Sequence, residues 1–292
     1  MVQVIHHTTK TLTIKKNWRS ADFVTPNFLY WCMGGCRDAY CYVMRYNYDK
    51  VYVAENREQI LQKVNDHATT LLRPKPSNQT DPRYRTYDIW CSSDICLHWW
   101  LIEWKKIFEF FINHPIAKAT FATKYVNKKL LDIHPQKKVR IRFSLMPQSI
   151  SSILEPTTSK IADRIDAITQ FQQAWYEVHL NFSPIVLYKG RREDYQKLFE
   201  DIAKISKGFD TSTVQCEAIF MTHNQWQHER NLLHWKIESE ELLWQPDYQE
   251  KKVSGFGSQA VRYKRWLKSR YIHERRKLHD SIIPRNTIRY IF

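Results

Sequence analysis

Strand-like apolar runs alternate with helix-like amphipathic runs along most of the chain, and this alternation constrains the fold more than any other feature. The strand-like runs are PNFLYWC (26–32), TYDIWC (86–91), AKATFAT (117–123), KKVRIRFSL (137–145), YEVHLNFSPIVL (176–187) and VQCEAIFM (214–221). Between them lie runs such as NREQILQKVNDHATTLL (56–72), whose apolar residues recur every three or four positions, as on one face of a helix. About six strand–helix units result, a pattern typical of a parallel sheet covered by helices. It fits either an incomplete (βα) barrel or an open doubly wound sheet.

The alternation ends near Leu242, where a different kind of sequence begins. SGFGSQAVRYKRW (254–266) predicts a hairpin or a turn, KRWLKSRYIHERRKLHDSII (264–283) a basic helix, and TIRYIF (287–292) a last short strand docked on the preceding fold. We therefore predict an α/β barrel region of residues 1–241 and a C-terminal extension of residues 242–292 packed on it.

Positive charge is concentrated in this extension. The chain has 45 Lys and Arg against 30 Asp and Glu, a formal net charge of +15. Twelve Lys or Arg and two Asp or Glu lie between Lys251 and Phe292, so this stretch alone has a net charge of +10. Such a segment favours a polyanionic partner, most often nucleic acid, and the alternative is a solvated helix face.

Composition excludes several classes of protein. With 43% hydrophobic and 14% aromatic residues in 292, the chain can bury a substantial core. It has no uninterrupted apolar run long enough for a membrane span, and its N-terminus lacks the apolar segment of a secretory signal. Six cysteines are too few for a disulfide scaffold. We expect a cytoplasmic protein, in a reducing compartment where clustered cysteines bind metal or react.

Residues whose side chains can react or bind a ligand follow the strand-like runs. They are Cys32, Cys91, Lys124, Ser144, Asn181 with Ser183, and Thr222. Because active sites in parallel α/β folds lie at the carboxyl ends of the strands, we expect these side chains to converge on one site. His223 comes next to Thr222 and is a further candidate for this site, while Thr222 or Asn224 is equally suited to cap the following helix.

Three cysteines form a C-x3-C-x4-C set: Cys32, Cys36 and Cys41. A structural zinc site needs four ligands, usually in closely spaced pairs, and no matching fourth ligand lies nearby. Three cysteines after a strand better suit a 4Fe-4S cluster with one iron open to a small molecule. The spacing therefore favours a cluster, with zinc and unligated redox cysteines as the alternatives.

A series of short motifs resembles the spore photoproduct lyase family within the radical S-adenosylmethionine (SAM) superfamily. The matching motifs are Tyr40-Cys41-Tyr42, Cys91-Ser92-Ser93-Asp94, Thr123-Lys124, Arg142-Phe143-Ser144, Glu155-Pro156 with Thr158-Ser159 and Arg164-Ile165, and the stretch from Gly255 to Tyr263. One spacing departs from the family, whose usual pattern is C-x3-C-x2-C, because two extra residues lie between Cys36 and Cys41.

The resemblance implies a partial (βα)6 TIM-like barrel and an enzyme, a radical SAM lyase. With a 4Fe-4S cluster on the three cysteines and an external one-electron donor, SAM would yield a 5′-deoxyadenosyl radical that reverses an ultraviolet-induced thymine dimer in DNA. The residues implied to hold SAM are Ser93, Lys124 and Ser144; Cys91 would donate a hydrogen atom, and Tyr40 and Tyr42 would relay it. The alternatives are a radical SAM enzyme for another nucleic-acid or nucleotide substrate, and a non-catalytic nucleic-acid-binding protein stabilised by a cluster or zinc.

The predicted hairpin supplies candidates for DNA binding. Repair of a base requires the lesion to leave the stacked duplex, so a wedge and phosphate contacts are expected. The candidates are Gly255, Phe256, Gly257, Arg262, Tyr263, Lys264 and Arg265. Glycine permits a tight turn, aromatic rings stack on bases, and Lys or Arg pairs with phosphate. An ordinary surface hairpin followed by a solvated helix is the alternative.

Overall fold

A computed structural model describes residues 3–32, 50–89, 93–205, 213–234, 236–253 and 259–292. Its strands are β1 (Gln3–His7), β2 (Lys15–Lys16), β3 (Phe23–Val24), β4 (Leu29–Tyr30), β5 (Lys50–Ala54), β6 (Arg85–Asp88), β7 (Ala117–Thr123), β8 (Val139–Ser144), β9 (Glu177–Ile185), β10 (Cys216–Phe220), β11 (Thr222–His223), β12 (Gln249–Val253), β13 (Gln259–Tyr263) and β14 (Ile288–Ile291). Its α-helices are α1 (Arg57–Thr70), α2 (Trp104–Asn113), α3 (Gln148–Leu154), α4 (Ile161–Gln173), α5 (Arg191–Ile205), α6 (Gln225–Leu233), α7 (Ile237–Leu243) and α8 (Arg265–Ile282). No helix in these ranges is long and apolar enough to cross a membrane.

The described residues form two compact units. The first contains residues 3–32, 50–89, 93–144 and 166–180, and the second contains 145–165, 181–205, 213–234, 236–253 and 259–292. The boundary predicted between residues 241 and 242 lies inside the second unit. The described residues of the extension therefore belong to the same compact unit as residues 181–205 and 213–234.

The first unit contains two sheets. In the larger, the strand order is β2-β3-β6-β7-β8, followed by the first half of β9. The pairs β3–β6, β6–β7 and β7–β8 are parallel, and β2 pairs antiparallel with β3. In the smaller, β1 pairs parallel with β5, and β5 pairs antiparallel with β4.

One predicted strand lies in an unexpected place. The run PNFLYWC was interpreted as the first strand of the parallel series, but its strand β4 belongs to the small sheet, where Leu29 pairs with Val53. The corresponding position beside β6 is occupied by β3, where Phe23 pairs with Tyr87. Two residues are too few to show an apolar alternation, so sequence periodicity could not have found β3.

The central strands bury both faces, one apolar and one polar. On β8 the apolar positions are Val139, Ile141 and Phe143, and the polar ones are Arg140, Arg142 and Ser144. Helix α2 covers the apolar side of the sheet: Phe108 stacks on Phe121 of β7, with ring centroids 6.1 Å apart. Each such fully buried large side chain contributes about 2 kcal/mol or more to folding. The polar side chains consequently project from the opposite face of the sheet.

The second unit contains the rest of β9 and two further groups of strands. β10 lies between β9 and β14, and β14 pairs parallel with β10, so the prediction of a last strand docked on the fold is confirmed. β12 and β13 form an antiparallel hairpin, which begins five residues before the stretch predicted as a hairpin or a turn, and β11 pairs antiparallel with the other edge of β13. Residues 254–258, between these two strands in the sequence, lie outside the described residues. The predicted basic helix is α8.

Most of the predicted helices are present, with shifted ends. The run LHWWLIEWKKIFEFFI (97–112), whose apolar spacing predicts one helix, forms a short 3-10 turn at Trp99–Leu101 followed by α2. A further 3-10 turn lies at Lys128–Asp132. Of the two residues considered as caps for α6, Asn224 has this role, since its side chain accepts a hydrogen bond from the backbone N–H of Gln227 at 2.8 Å.

Candidate active site at the strand ends

A buried carboxylate, Asp94, organises the turn that follows β6. Its Oδ1 accepts hydrogen bonds from the backbone N–H of Cys96 (3.0 Å) and Leu97 (3.3 Å) and from the Thr123 hydroxyl (2.7 Å). Its Oδ2 accepts from the backbone N–H of Lys124 at 2.9 Å. Burial raises the pKa of Asp94, and these donors and the Lys124 charge oppose that rise. The carboxylate thereby joins the turn after β6 to the end of β7.

The same turn contacts the chain just before the first cysteine of the C-x3-C-x4-C set. The Ser93 hydroxyl donates to the carbonyl oxygen of Trp31 at 3.0 Å. Trp31 has a φ of 71°, in the left-handed region that a bulky side chain adopts only when its surroundings hold it there. Cys32 follows and is buried, 8% exposed. The structure therefore brings Ser93 and the start of the cysteine loop together.

Lys124 and Ser144 end two neighbouring parallel strands. Thr123 of β7 pairs with Phe143 of β8, so the two residues just beyond this pair lie at the same edge of the sheet. Lys124 is half-buried and Ser144 is buried. Of the predicted site residues, Ser93, Lys124 and Ser144 thus lie at carboxyl ends of strands within one unit, and Ser93 and Lys124 flank the same Asp94 turn.

Other predicted site residues lie outside the described residues: Cys36, Tyr40, Cys41, Tyr42, Cys91, Gly255, Phe256 and Gly257. Their predicted roles as cluster ligands, hydrogen-atom carriers and hairpin turn therefore stay predictions.

A network of buried ions lies on the polar face of the sheet, towards the amino ends of the strands. Arg140 donates to Glu177 (2.8 Å) and to Asp81 (3.0 Å), Lys118 pairs with both carboxylates, and His179 lies 2.9 Å from Glu177. Burial alone would raise the pKa of Glu177, but Arg140, His179 and Lys118 hold it well below its usual range. These groups satisfy one another and fix the strands, at the end opposite Lys124 and Ser144.

A second pair, Arg142 and Asp88, lies nearer the strand ends. The Arg142 guanidinium donates to the Asp88 carboxylate at 2.6 Å, and both side chains are buried. Sequence reasoning assigned a role to neither this pair nor the Arg140 network. The available signal was the alternation of Arg with apolar residues in VRIRFS, which is unusual for a buried strand and indicates a polar interior face.

The family motif near the start of α4 forms a buried ion pair in the second unit. Arg164 donates to the Glu155 carboxylate at 3.0 Å, and both side chains are fully buried. The same guanidinium donates to the carbonyl of Ser159 (2.9 Å) and to the Thr158 hydroxyl (2.5 Å). The motif therefore ties together the segment between α3 and α4.

Three of the predicted DNA contacts lie on the surface of the hairpin and at the start of α8. Arg262 is exposed and donates to Glu250 on β12 at 2.9 Å. The Lys264 ammonium donates to the carbonyl of Asp247 at 2.8 Å, and Arg265 is exposed. These cations can exchange their present partners for phosphate at little cost, since surface ion pairs contribute little.

The prediction for Tyr263 needs correction. Its ring is 1% exposed, and its hydroxyl accepts a hydrogen bond from the backbone N–H of Leu187 at 3.1 Å. Burial raises its pKa, and the ring packs edge-on against Phe220. Tyr263 holds the hairpin to its own unit, because the alternation of a strand turns it inward when Arg262 points outward.

Sequence reasoning did not single out Trp266. This side chain is 62% exposed in the first turn of α8, one residue after Arg265. An aromatic residue within a basic stretch was the signal in YKRW. Conversely, two cations of the extension face inward: Arg275 is buried, and Arg289 pairs with the buried Glu217 at 2.8 Å.

The fold and the strand-end site define a mixed α/β protein with a polar interior sheet face and a buried cysteine, Cys32, just after a short strand. Residues 2–292 match the family model of spore photoproduct lyase, and the chain belongs to this family. The resemblance inferred from its motifs is thereby confirmed.

Two curated relatives are spore photoproduct lyases. The one from Bacillus subtilis (strain 168) is 30% identical over 197 residues, which cover 66% of this chain and 54% of the relative. The one from Geobacillus sp. (strain Y412MC61) is 27% identical over 216 residues, 72% of this chain and 59% of the relative. The aligned part of the chain thus spans between half and two thirds of each relative.

Solved structures of spore photoproduct lyase share the fold. One complexed with dinucleoside spore photoproduct has a TM-score of 0.86 at 21% identity and is matched over 99% of this chain and 82% of its own. A mutant with bound AdoMet and dinucleoside spore photoproduct gives the same values. The likeness confirms the predicted fold class, a mixed α/β partial barrel.

Proposed function

We propose that the protein is a radical SAM lyase that reverses an ultraviolet-induced thymine dimer, of the spore photoproduct type, in DNA. The observation that carries the proposal is the Asp94 turn, which joins the backbone of Lys124 to the turn that contains Ser93. Ser93 in turn binds the carbonyl next to Cys32. Family membership and solved relatives with bound AdoMet and dinucleoside spore photoproduct give further support.

The residues fit the proposed cofactors. Cys32 is a buried thiol directly after a constrained turn, and thiolates are the ligands that iron–sulfur clusters require. Cys32, Cys36 and Cys41 would hold a 4Fe-4S cluster, and Ser93, Lys124 and Ser144 would hold SAM. When bound, the cluster supplies an electron from an external donor, and SAM supplies the group that removes hydrogen from the lesion. A reducing cytoplasm suits such ligands.

The protein's own groups would position SAM and shield the site from water. Asp94 fixes the backbone of Lys124 at the end of β7. The ammonium group of Lys124 is therefore a positive point charge at the strand end, suited to the SAM carboxylate. The Ser93 hydroxyl donates its hydrogen bond to the carbonyl oxygen of Trp31, so the hydroxyl oxygen can still accept one from a ligand N–H or O–H. The buried Ser144 contributes a hydroxyl in a site shielded from water.

Quenching of the product radical is assigned to Cys91, Tyr40 and Tyr42. The S–H bond of Cys91 is weak enough to give a hydrogen atom to a carbon radical, which leaves a sulfur radical on the cysteine. A phenol O–H group of the two tyrosines would then return a hydrogen atom to that sulfur, which restores the thiol and leaves a phenoxyl radical. One electron from the external donor, together with a proton, would restore the phenol. These groups act as neutral hydrogen-atom donors, so no thiolate is needed.

DNA would be held by cations at the surface of the hairpin and at the start of α8, two of them exposed and Lys264 half-buried. Arg262, Lys264 and Arg265 are proposed to contact phosphates, and the exposed Trp266 to stack on an unpaired base. Gly255, Phe256 and Gly257 are proposed to form the wedge at the hairpin tip. Tyr263 supports this surface from within.

The proposal is tested by anaerobic reconstitution with iron and sulfide, followed by SAM, dithionite and dinucleoside spore photoproduct. We expect formation of 5′-deoxyadenosine and release of thymine residues from the dimer. Absence of 5′-deoxyadenosine from a protein loaded with its cluster would refute radical SAM chemistry. Formation of 5′-deoxyadenosine without repair would instead assign another substrate.

Replacement of Cys91 separates its role from that of the cofactors. Cys91→Ala should still form 5′-deoxyadenosine but should give side products in place of clean thymine. Cys216→Ala is the matched control, since Cys216 is buried in the second unit beside His279. Product analysis by chromatography decides: an unaltered product profile in Cys91→Ala would remove its donor role.

A further inference from the structure

Three side chains with metal-ligand chemistry meet in the second unit, among residues that have no part in the proposed reaction. They are His223 of β11, His228 of α6 and Glu240 of α7. We propose that they form a binding site for a divalent zinc-class cation. The site is independent of the cysteine loop and of the repair function.

The geometry of the ligand atoms supports the proposal. His223 Nε2 lies 3.1 Å and 3.2 Å from the two oxygens of Glu240, and His228 Nδ1 contacts the Glu240 Oε2. One nitrogen from each imidazole and a carboxylate oxygen all lie within 4.8 Å of one another. Two imidazoles and a carboxylate are a frequent set of zinc ligands, with a water molecule in the fourth position.

The surroundings hold the ligands in place. The Trp244 ring stacks on His228 with centroids 4.3 Å apart and an interplanar angle of 9°, and it meets His223 edge-on at 6.0 Å. The Asn231 amide donates to Glu240 Oε1. Such contacts to the ligands fix ring orientation and typically change metal affinity 10–100-fold.

Burial and charge agree with a cation at this position. The side chains of His223 and Glu240 are 1% and 4% exposed, and that of His228 is 19% exposed. The Glu240 carboxylate lies against both imidazoles and the Asn231 amide. A buried carboxylate between two imidazoles, which are neutral ligands when they bind metal, offers a negative site to a cation.

The position of the ligands indicates what the ion would do. His223 pairs with Val261 and Thr222 with Arg262 in the β11–β13 ladder, so the site lies directly beside the hairpin strand. The other two ligands come from separate helices. A bound ion would therefore cross-link β11, α6 and α7 and stiffen the support of the hairpin.

The test measures zinc in the full-length protein. Protein produced with added zinc and treated with a moderate chelator should retain about one zinc ion per chain in this site. Because zinc can also occupy an unloaded cysteine loop, the measurement is repeated on Cys32→Ala/Cys36→Ala/Cys41→Ala, which should retain the same ion. Cobalt substitution of this variant should give visible d–d bands without thiolate charge transfer.

Glu240→Gln and His228→Gln keep a polar side chain of similar size but should lower zinc affinity at least tenfold. The matched control is His234→Gln, an exposed residue at the end of the same helix α6. His228 is the most exposed ligand, so its variant keeps the test interpretable if Glu240→Gln does not fold. Two results would contradict the site: zinc that is lost only when the three cysteines are replaced, or equal zinc in Glu240→Gln and the parent. Either would show that His223, His228 and Glu240 are joined by hydrogen bonds without a metal.

Discussion

Single residues account for much of the site. The motif match identified Ser93 and Lys124 from the sequence, and the structure adds how they are positioned, through Asp94 and Trp31. The sequence identified Asp94 only as the last residue of a motif and assigned it no role. Its hydrogen bonds depend on the register of β6 against β7, where Asp88 pairs with Thr120, and register is a tertiary property that no local pattern encodes.

Lys124 gives the first prediction at this scale. Lys124→Met should raise the KM for SAM about tenfold or more and leave kcat less affected, because the lost ammonium binds SAM before and during reaction alike. The measurement is the rate of 5′-deoxyadenosine formation against SAM concentration. Lys128→Met, an exposed lysine four residues on, is the matched control. Equal KM values in the two variants would contradict the assignment.

Lys138 gives a pH-dependent prediction. Burial, helped by the charges of Lys118 and Arg83, lowers the pKa of Lys138 to about 8, below the ordinary 10.5. Its ammonium donates to the carbonyl of His114 at 2.5 Å. The Lys138 amine binds its proton more tightly in the unfolded chain than in the folded one. Its contribution to stability is therefore fully present above about pH 10.5. It is lost as the pH falls to about 8.

The free energy of unfolding should therefore rise with pH between about 8 and 10.5 more steeply in the parent than in Lys138→Met. The difference between the two proteins should change by about 2 kcal/mol across this window. Denaturant titrations at several pH values measure it. Lys137→Met changes the exposed neighbour and should follow the parent curve. Tyrosines titrate in the parent and in both variants, so their effect is removed when the curves are compared. Parallel curves for parent and Lys138→Met would disprove the shift.

At the scale of elements, long periodic segments were predictable and short ones were not. Helix α1 and strand β7 were expected from their apolar runs, and both are present. β3 and β11 have two residues each, so they exist only through the strands they pair with. For the same reason β4 was assigned to the wrong sheet: its sequence shows a strand but not its partner.

The Glu155–Arg164 pair gives a prediction about the segment between α3 and α4. Arg164→Met leaves a fully buried carboxylate without its partner and should lower the free energy of unfolding by about 3–5 kcal/mol. Arg164→Met/Glu155→Leu should recover most of this loss, because a buried pair and an apolar replacement are often nearly equal in stability. Lys160→Met, exposed in the same segment, is the control. A double variant no more stable than the single one would show that the pair itself stabilises the fold.

At the scale of the whole molecule, the sequence locates the positive charge but not the cations that face solvent. The net charge of +10 between Lys251 and Phe292 is a property of the sequence. Which cations face solvent depends on packing: Arg275 lies 4.3 Å above the Tyr195 ring, and Arg289 pairs with Glu217. A helix period places residues on every side, so the charge of α8 had to be divided between surface and interior by the fold.

The three cations of the hairpin and the start of α8 give the last prediction. Replacement of Arg262, Lys264 and Arg265 together by Ala should weaken DNA binding at least tenfold at low salt. It should also reduce the slope of log affinity against log salt by about 2–3, since each phosphate contact releases counterions. The measurement is fluorescence anisotropy with a labelled duplex over a series of salt concentrations.

The matched control removes three exposed lysines of the first unit, Lys63, Lys105 and Lys128, and changes the net charge by the same amount. A long-range effect of net charge would weaken binding equally in both triple variants, and the hairpin assignment would then fail. A loss confined to the hairpin variant would separate local phosphate contacts from the overall field, which is screened beyond about 8–10 Å at moderate salt. Trp266→Ala in the parent background should weaken binding to single-stranded DNA with an unchanged salt slope, because stacking releases no counterions.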